Sequence, residues 1–300
     1  MKKKIAISIG DINGVGMEII FKAHHKVIEL CEPIYCISDT MLQKSAKLLN
    51  IDIPDNFHTI NVDGNFEINA GKVCANAGEY SYKSFLQAIQ LCENKQTDAL
   101  VTLPIHKEAW MKSGLNFKGH TDLLRQHFLQ DAIMMLGCEE MFVALYTEHI
   151  PLNKVASTIK KEKLVNFFLN FHESVETKKI AVLGLNPHAG DNGVLGNEEE
   201  EITLAITEVN AKLKKEVFIG PIVPDVAFTP NFRKNFTHFI AMYHDQGLAP
   251  LKALYFEESI NVSLNLPILR TSVDHGTAFD IAYKNKADTL SYINAIKYTL

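Results

Sequence analysis

Lys4-Ile-Ala-Ile-Ser-Ile-Gly-Asp-Ile-Asn-Gly-Val-Gly16 is the stretch that decides the fold. Lys4 to Ile9 form a short apolar run that reads as a buried strand, Gly10 opens a turn, and a helical pattern runs from about Val15 to Leu30. A strand that feeds a glycine turn and then a helix is the opening of a βαβ unit. The turn does not spell the dinucleotide fingerprint: counted from Gly14 and Gly16, the sixth position is Ile19. It also lacks the Gly-Lys-Ser/Thr ending of a P-loop. Two readings stay open here, a phosphate cradle at a helix N-terminus and a tight turn in which Asp11 and Asn13 satisfy backbone groups.

The same alternation continues outward. Ile34–Ser38, Ala99–Leu103, Met141–Tyr146, Ile180–Leu185 and His238–Met242 read as strands. Met41–Leu49, Glu79–Asn94, Lys161–Ser174, Glu198–Leu213, Thr277–Tyr283 and Ala287–Tyr298 read as helices. In Glu79–Asn94 the apolar residues fall at 82, 85, 86, 89 and 92, the spacing of one buried helical face. Strands alternating with helices predict an α/β architecture with a largely parallel sheet. Trp110–Val143 breaks the rhythm, reads as helix-rich, and is where a domain crossover is expected.

Composition narrows the function classes. With 300 residues, 47% of them apolar, the chain is long enough for one large or two smaller domains, and disorder is excluded. Thirty cationic against 35 acidic side chains give −5, and Lys2-Lys3-Lys4 is too short for a nucleic-acid arm. Neither a nucleic acid nor a membrane is expected as a partner, since no run approaches the ~20 apolar residues of a span. The start, Ile5 to Ile9 cut by Gly10, is too short for a signal-peptide core. Five cysteines (31, 36, 74, 92 and 138) without a Cys-x-x-Cys pair suit reduced thiols, so a cytoplasmic location is expected.

Three histidines share a setting, each in the loop after a predicted strand: His149, His188 and His244. Ligands of open α/β sheets bind beyond the carboxyl ends of the strands, where three imidazoles can hold one divalent ion and leave open positions. Hydrogen-bonded loop histidines are the plainer alternative. Gly119-His120-Thr121-Asp122 places donors at a predicted helix start, as an anion site or as a simple cap. Lys252, Asn261 and Arg270 recur at nine-residue steps in apolar surroundings. Cations there need an anionic partner, either a ligand phosphate or carboxylate or an internal acid.

Six blocks together carry a resemblance. Gly10-Asp-Ile-Asn-Gly-Val-Gly-Met-Glu18, Pro104-Ile-His-Lys-Glu-Ala109 and Gly119-His-Thr121 lie in the first half. Asn186-Pro-His-Ala-Gly190, Ala241-Met-Tyr-His-Asp-Gln-Gly247 and Arg270-Thr-Ser-Val-Asp-His-Gly-Thr277 lie in the second. In order, they resemble the signatures of the PdxA family, the 4-hydroxythreonine-4-phosphate dehydrogenases of vitamin B6 biosynthesis. The resemblance implies a two-domain fold like that of isocitrate and isopropylmalate dehydrogenases, with a non-Rossmann cofactor site. The expected domains are 1–125 with 270–300, and 126–269, the latter carrying the metal histidines. It implies a homodimer with the active site at the interface, and one divalent ion (Zn, Mg or Co) on His149, His188 and His244. His120, Thr121, Lys252, Asn261 and Arg270 match its substrate contacts. His106 stands where the family usually has Asn, Asp122 where it has Glu, Asp191-Asn192 where Glu-Gly is common, and Glu148 where Thr is common.

The expected reaction is oxidation of 4-phosphooxy-L-threonine by NAD or NADP, then decarboxylation to 3-amino-2-oxopropyl phosphate. Asp245 and Asp225 are the candidates for proton transfer or ligand support. Asn186, Gly190 and Gly196, with Asp274, His275 and Gly276, are assigned to the cofactor by analogy. Two rivals stay open: a same-family dehydrogenase of erythronate or threonate 4-phosphate, and a metal-dependent hydrolase or acyltransferase.

Overall fold

The computed structural model describes residues 2–300. Strands β1 (Lys4–Ser8), β2 (Glu32–Cys36), β3 (Thr59–Ile60), β4 (Ala99–Thr102), β5 (Ile133–Cys138) and β6 (Met141–Leu145) come first. They are followed by β7 (Ile180–Leu183), β8 (Phe218–Ile222), β9 (His238–Ala241), β10 (Ile260–Leu264) and β11 (Arg270–Val273). The chain divides into two compact units, one running through Asp131 and resuming from Ile260 to Leu300, the other Ala132–Ser259. These limits differ from 125/126 and 269/270. The return falls earlier because β10 pairs antiparallel with β11, Ser263 opposite Arg270, which ties Ile260–Leu264 to the first unit.

In the first unit the strand order is β3-β2-β1-β4-β11-β10. All neighbours are parallel except β10 and β11. β4 is buried at every residue and β1 at all but its first, which is why Ile-Ala-Ile and Ala-Leu-Val run apolar without alternation. The helix Gly16–Leu30 buries Met17, Ile20, Phe21 and Val27, and Ser38 caps Asp39–Leu49 by accepting from the Met41 N–H at 3.3 Å. Trp110 is fully buried and donates its indole N–H to Ser81 Oγ at 2.8 Å.

In the second unit the order is β5-β6-β9-β7-β8, with β5 antiparallel to β6 and the other pairs parallel. Its core gathers Leu136, Met141, Val143, Leu183, Phe239, Leu248 and Leu251. The helices Lys161–Ser174 and Glu198–Leu213 have the limits the sequence predicted. Among the described residues no helix is long and apolar enough to cross a membrane.

Two expectations are corrected. Trp110–Val143 is not helical throughout, because Ile133–Cys138 forms β5 against β6. A continuous apolar run carries no period, so pairing rather than propensity decides its state. Thr277–Tyr283 forms turns rather than a helix. Ala278, Tyr283 and Asn285 sit at φ +42°, +60° and +59°, outside helical space. Tyr283 at the segment's end donates to Ile12 O, in the glycine turn, at 2.7 Å, and just beyond it Glu18 of the first helix accepts from the Asn285 and Ala287 N–H groups at 3.1 and 2.6 Å.

Candidate active site

The glycine turn after β1 is occupied with its own backbone. Asp11 Oδ1 accepts from the Asn13 N–H at 2.9 Å, and the Asp11 N–H donates to Pro104 O at 2.8 Å. Asn13 accepts from the Asn69 N–H and donates to Lys72 O. Gly10 sits at φ +72°, where a Cβ would lie 2.3 Å from Pro104 O, so glycine is required for the loops after β1 and β4 to touch. Asp11 Oδ2 is buried without a partner, and burial raises this carboxyl to about 6, partly opposed by the Asn13 N–H.

In the second unit β6, β9 and β7 are parallel neighbours, so the loops that follow them leave the sheet side by side. His149 follows β6, His244 opens the helix after β9, and His188 follows β7. Thr147 Oγ1 donates to Met242 O at 2.6 Å, joining the first two loops. Gln246 joins the second to the third, accepting from the Met242 N–H at 2.7 Å and donating to Gly184 O at 2.6 Å. The His149 and His244 rings are 5.5 Å apart at 45°. Two imidazoles sharing one ion at 2.0–2.1 Å have centres about 5 Å apart, close to the spacing of this pair. His244 Nδ1 lies 2.6 Å from Asp245 Oδ1, which leaves its Nε2 to face a ligand.

His188 is not gathered with them: no group of three His, Cys, Asp or Glu is arranged for a metal among the described residues. It lies in a left-handed run from His188 to Asn192, with φ between +44° and +78°. The root of that loop is clamped by Glu199, whose carboxylate accepts from the Leu185 and Asn186 N–H groups at 2.8 and 2.7 Å and from Asn186 Nδ2 at 2.9 Å. Asn186, Gly190 and Gly196 are engaged in the same packing, since a Cβ on Gly190 would meet Glu199 and one on Gly196 would meet Asn186. Asp225 is exposed in the short helix Pro224–Ala227. Lys252 lies in the helix His244–Tyr255, with Nζ 5.5 Å from the centre of the Phe256 ring.

In the first unit Arg270 is 2% exposed. Its guanidinium donates to Thr102 Oγ1 through Nε at 3.2 Å and Nη2 at 2.7 Å, and through Nη1 to Ser263 Oγ at 3.2 Å and Asn261 Oδ1 at 3.5 Å. Every one of these partners is neutral. Burial pulls the guanidinium down to about 9, which still leaves it charged at neutral pH. His120 opens the helix His120–Phe128 and packs edge-on to Phe85. Burial and, less, the Arg270 charge hold it well below the usual histidine range, so it is neutral, and its Nε2 is buried without a partner. Thr121, half-buried, follows it. His275 and Gly276 are exposed, with nothing within 4 Å of a Cβ on Gly276, while the Asp274 N–H donates to Ser291 Oγ.

Thr102, Ser263, Gln246 and Glu199 escaped the sequence reading. The signal for the first two was a hydroxyl inside an apolar strand, Ala-Leu-Val-Thr102 and Asn-Val-Ser263.

A fold of two α/β units with largely parallel sheets, imidazoles at adjacent strand ends and a buried unpaired arginine can now be compared with known proteins. The family model of pyridoxal phosphate biosynthetic protein PdxA matches residues 29–299, and the chain belongs to that family. A protein of Sulfurimonas denitrificans named 4-hydroxythreonine-4-phosphate dehydrogenase is 67% identical over 99% of this chain and 96% of its own. One of the same name from Campylobacter fetus is 54% identical over 99% and 97%. The crystal structure of a 4-hydroxythreonine-4-phosphate dehydrogenase from Burkholderia phymatum superposes with a TM-score of 0.84 at 30% identity, covering 100% of this chain and 98% of that one.

Proposed function

We propose that the protein, as a homodimer, oxidises 4-phosphooxy-L-threonine at C3 and releases CO2 to give 3-amino-2-oxopropyl phosphate, a step in pyridoxal phosphate supply. The observation that carries the reading is Arg270, a buried cation whose hydrogen-bond partners are all neutral. Such a charge is stabilised by an anionic ligand. The names of the relatives supply the substrate.

Arg270, with Lys252, takes the phosphate and carboxylate, and Asn261 and Thr121 fix orientation. Neutral His120 offers Nε2 as a hydrogen-bonding group without adding charge beside the arginine. His149, His188 and His244 would hold the divalent ion, and neutral imidazoles favour Zn or Co over Mg. Segment Asp274–Gly276 is the cofactor contact, with Asn186, Gly190 and Gly196 shaping the loop that carries His188.

When bound, NAD or NADP accepts a hydride and a divalent ion draws negative charge toward the reacting oxygen. C3 loses hydride while its hydroxyl proton passes to a carboxylate, for which Asp225 and Asp245 are the candidates. The C1–C2 bond then breaks, CO2 leaves, and the electron pair spreads to the C3 oxygen until C2 takes a proton. Asp245 also holds the His244 tautomer through Nδ1.

The test is substrate-dependent appearance of reduced nicotinamide with CO2 release, run with NAD and with NADP. Erythronate and threonate 4-phosphate serve as competitors. Absence of nicotinamide reduction with the amino compound, or faster turnover of a sugar acid, overturns the reading.

A further inference from the structure

β4, β11 and β10 present one polar face in the first unit. Thr102 pairs in register with Ser272, and Ser272 with Asn261, while Arg270 pairs with Ser263. In-register neighbours and alternate residues of a strand point the same way. Thr102, Asn261, Ser263 and Arg270 therefore share a face, and the guanidinium lies along it. Thr102 is fully buried, and its one oxygen receives two of the four hydrogen bonds that Arg270 makes. A guanidinium has five N–H donors, so one is left over after these four. An acid at position 102 or 263 would have anchored the arginine more tightly, but it would also have cancelled its charge.

We propose that Thr102, assisted by Ser263, is a positioning residue that fixes the Arg270 guanidinium with neutral oxygens, so that its full positive charge is reserved for the phosphate or carboxylate of the ligand. The inference rests on the substrate reading above, since it assigns a purpose to the arginine named there. It also states a specificity rule: the site selects for anions because its cradle is made of neutral oxygens, and a carboxylate in the cradle would weaken ligand binding without removing the arginine.

Three full-length variants test it by titration with inorganic phosphate and 4-phosphooxy-L-threonine, alongside KM, kcat and thermal unfolding. Thr102→Val removes the acceptor of two of these hydrogen bonds and is expected to weaken binding and raise KM at least about tenfold, the effect of losing one hydrogen bond to a charged group being the lower bound. Its kcat is expected to change far less than KM. Thr102→Ser restores the oxygen and is expected to recover most of that loss. Thr102→Asp keeps an acceptor but neutralises the arginine, and is expected to weaken binding about thirtyfold or more while the protein unfolds no earlier than the valine variant. If the aspartate variant is folded and binds like the parent, the neutral-cradle inference is wrong. If it does not fold, the valine and serine pair decides: equal KM values overturn the inference. If the parent turns the substrate over but none of the variants differs, only this inference fails. If the parent binds neither probe, the substrate reading falls with it.

Discussion

The two units differ in how their candidate groups are held. In the first, Arg270, Thr102 and Ser263 stand on strands, buried and hydrogen-bonded to one another before any ligand arrives. In the second, His149 and His188 are exposed on loops, and of the three histidines His149 and His244 have their rings close together, 5.5 Å apart. A sheet face positions an anion site in advance, because strand register fixes its side chains. If the three histidines hold an ion as proposed, a set drawn from three loops is completed by the ion, whose binding free energy offsets the ordering.

Removing a histidine is the sharpest way to break that contrast. His244→Ala or His188→Ala is expected to lower turnover by more than about a hundredfold, together with bound metal. Metal analysis and kinetics on the same preparation check it, and an active variant with full metal content removes that residue from the ligand set. Arg270→Ala comes next, expected to weaken substrate capture by about 1.5–3 kcal/mol. Unchanged KM would take Arg270 out of the site.

Asp11 probes burial in the first unit through pH. Its carboxyl is raised from 3.8 to about 6 by desolvation, so the folded state holds a proton that the unfolded state has released. The contribution to stability is complete below about pH 4 and is lost as pH rises through 6. Asp11→Asn keeps the Oδ1 acceptor and does not titrate. It is expected to match the parent near pH 4 and exceed it by about 3 kcal/mol near pH 7 in denaturant unfolding. A gap that does not change with pH contradicts the assignment.

The smallest effect belongs to the His188 loop. Ala189 sits at φ +51°, where an L-residue with a Cβ is disfavoured. Ala189→Gly is expected to raise stability by about 0.5–1 kcal/mol. A loss instead would mean that the left-handed run is not the resting form of the loop.

Much of this was legible in the sequence. Lys4–Ile9 announced a buried strand because Ile-Ala-Ile leaves no polar face, and the absent fingerprint excluded a Rossmann turn. The strand-end positions of the three histidines followed from the alternation alone. Ile133–Cys138 was not legible, since an apolar run without a period becomes a strand only when β6 is beside it. Thr277–Tyr283 misled for the opposite reason: a local helical pattern gives way to turns with left-handed residues at Ala278 and Tyr283, the latter tied by its hydroxyl to the distant Ile12 carbonyl. The gathering of His149 with His244 but not His188 depends on loop geometry that no spacing encodes. Thr102 was overlooked because one hydroxyl in Ala-Leu-Val-Thr-Leu looks like strand filler until the arginine that reaches it is seen.

The return of the chain to the first unit at Ile260 sets an order of assembly during synthesis. β4 has β1 on one side and β11 on the other, so until Arg270–Val273 leaves the ribosome its second flank has no partner from its own unit. An unpaired apolar strand is a template for wrong pairings. The strand that closes that flank is also the one that delivers the arginine, so a nascent chain gains this part of its sheet and its buried cation in the same event.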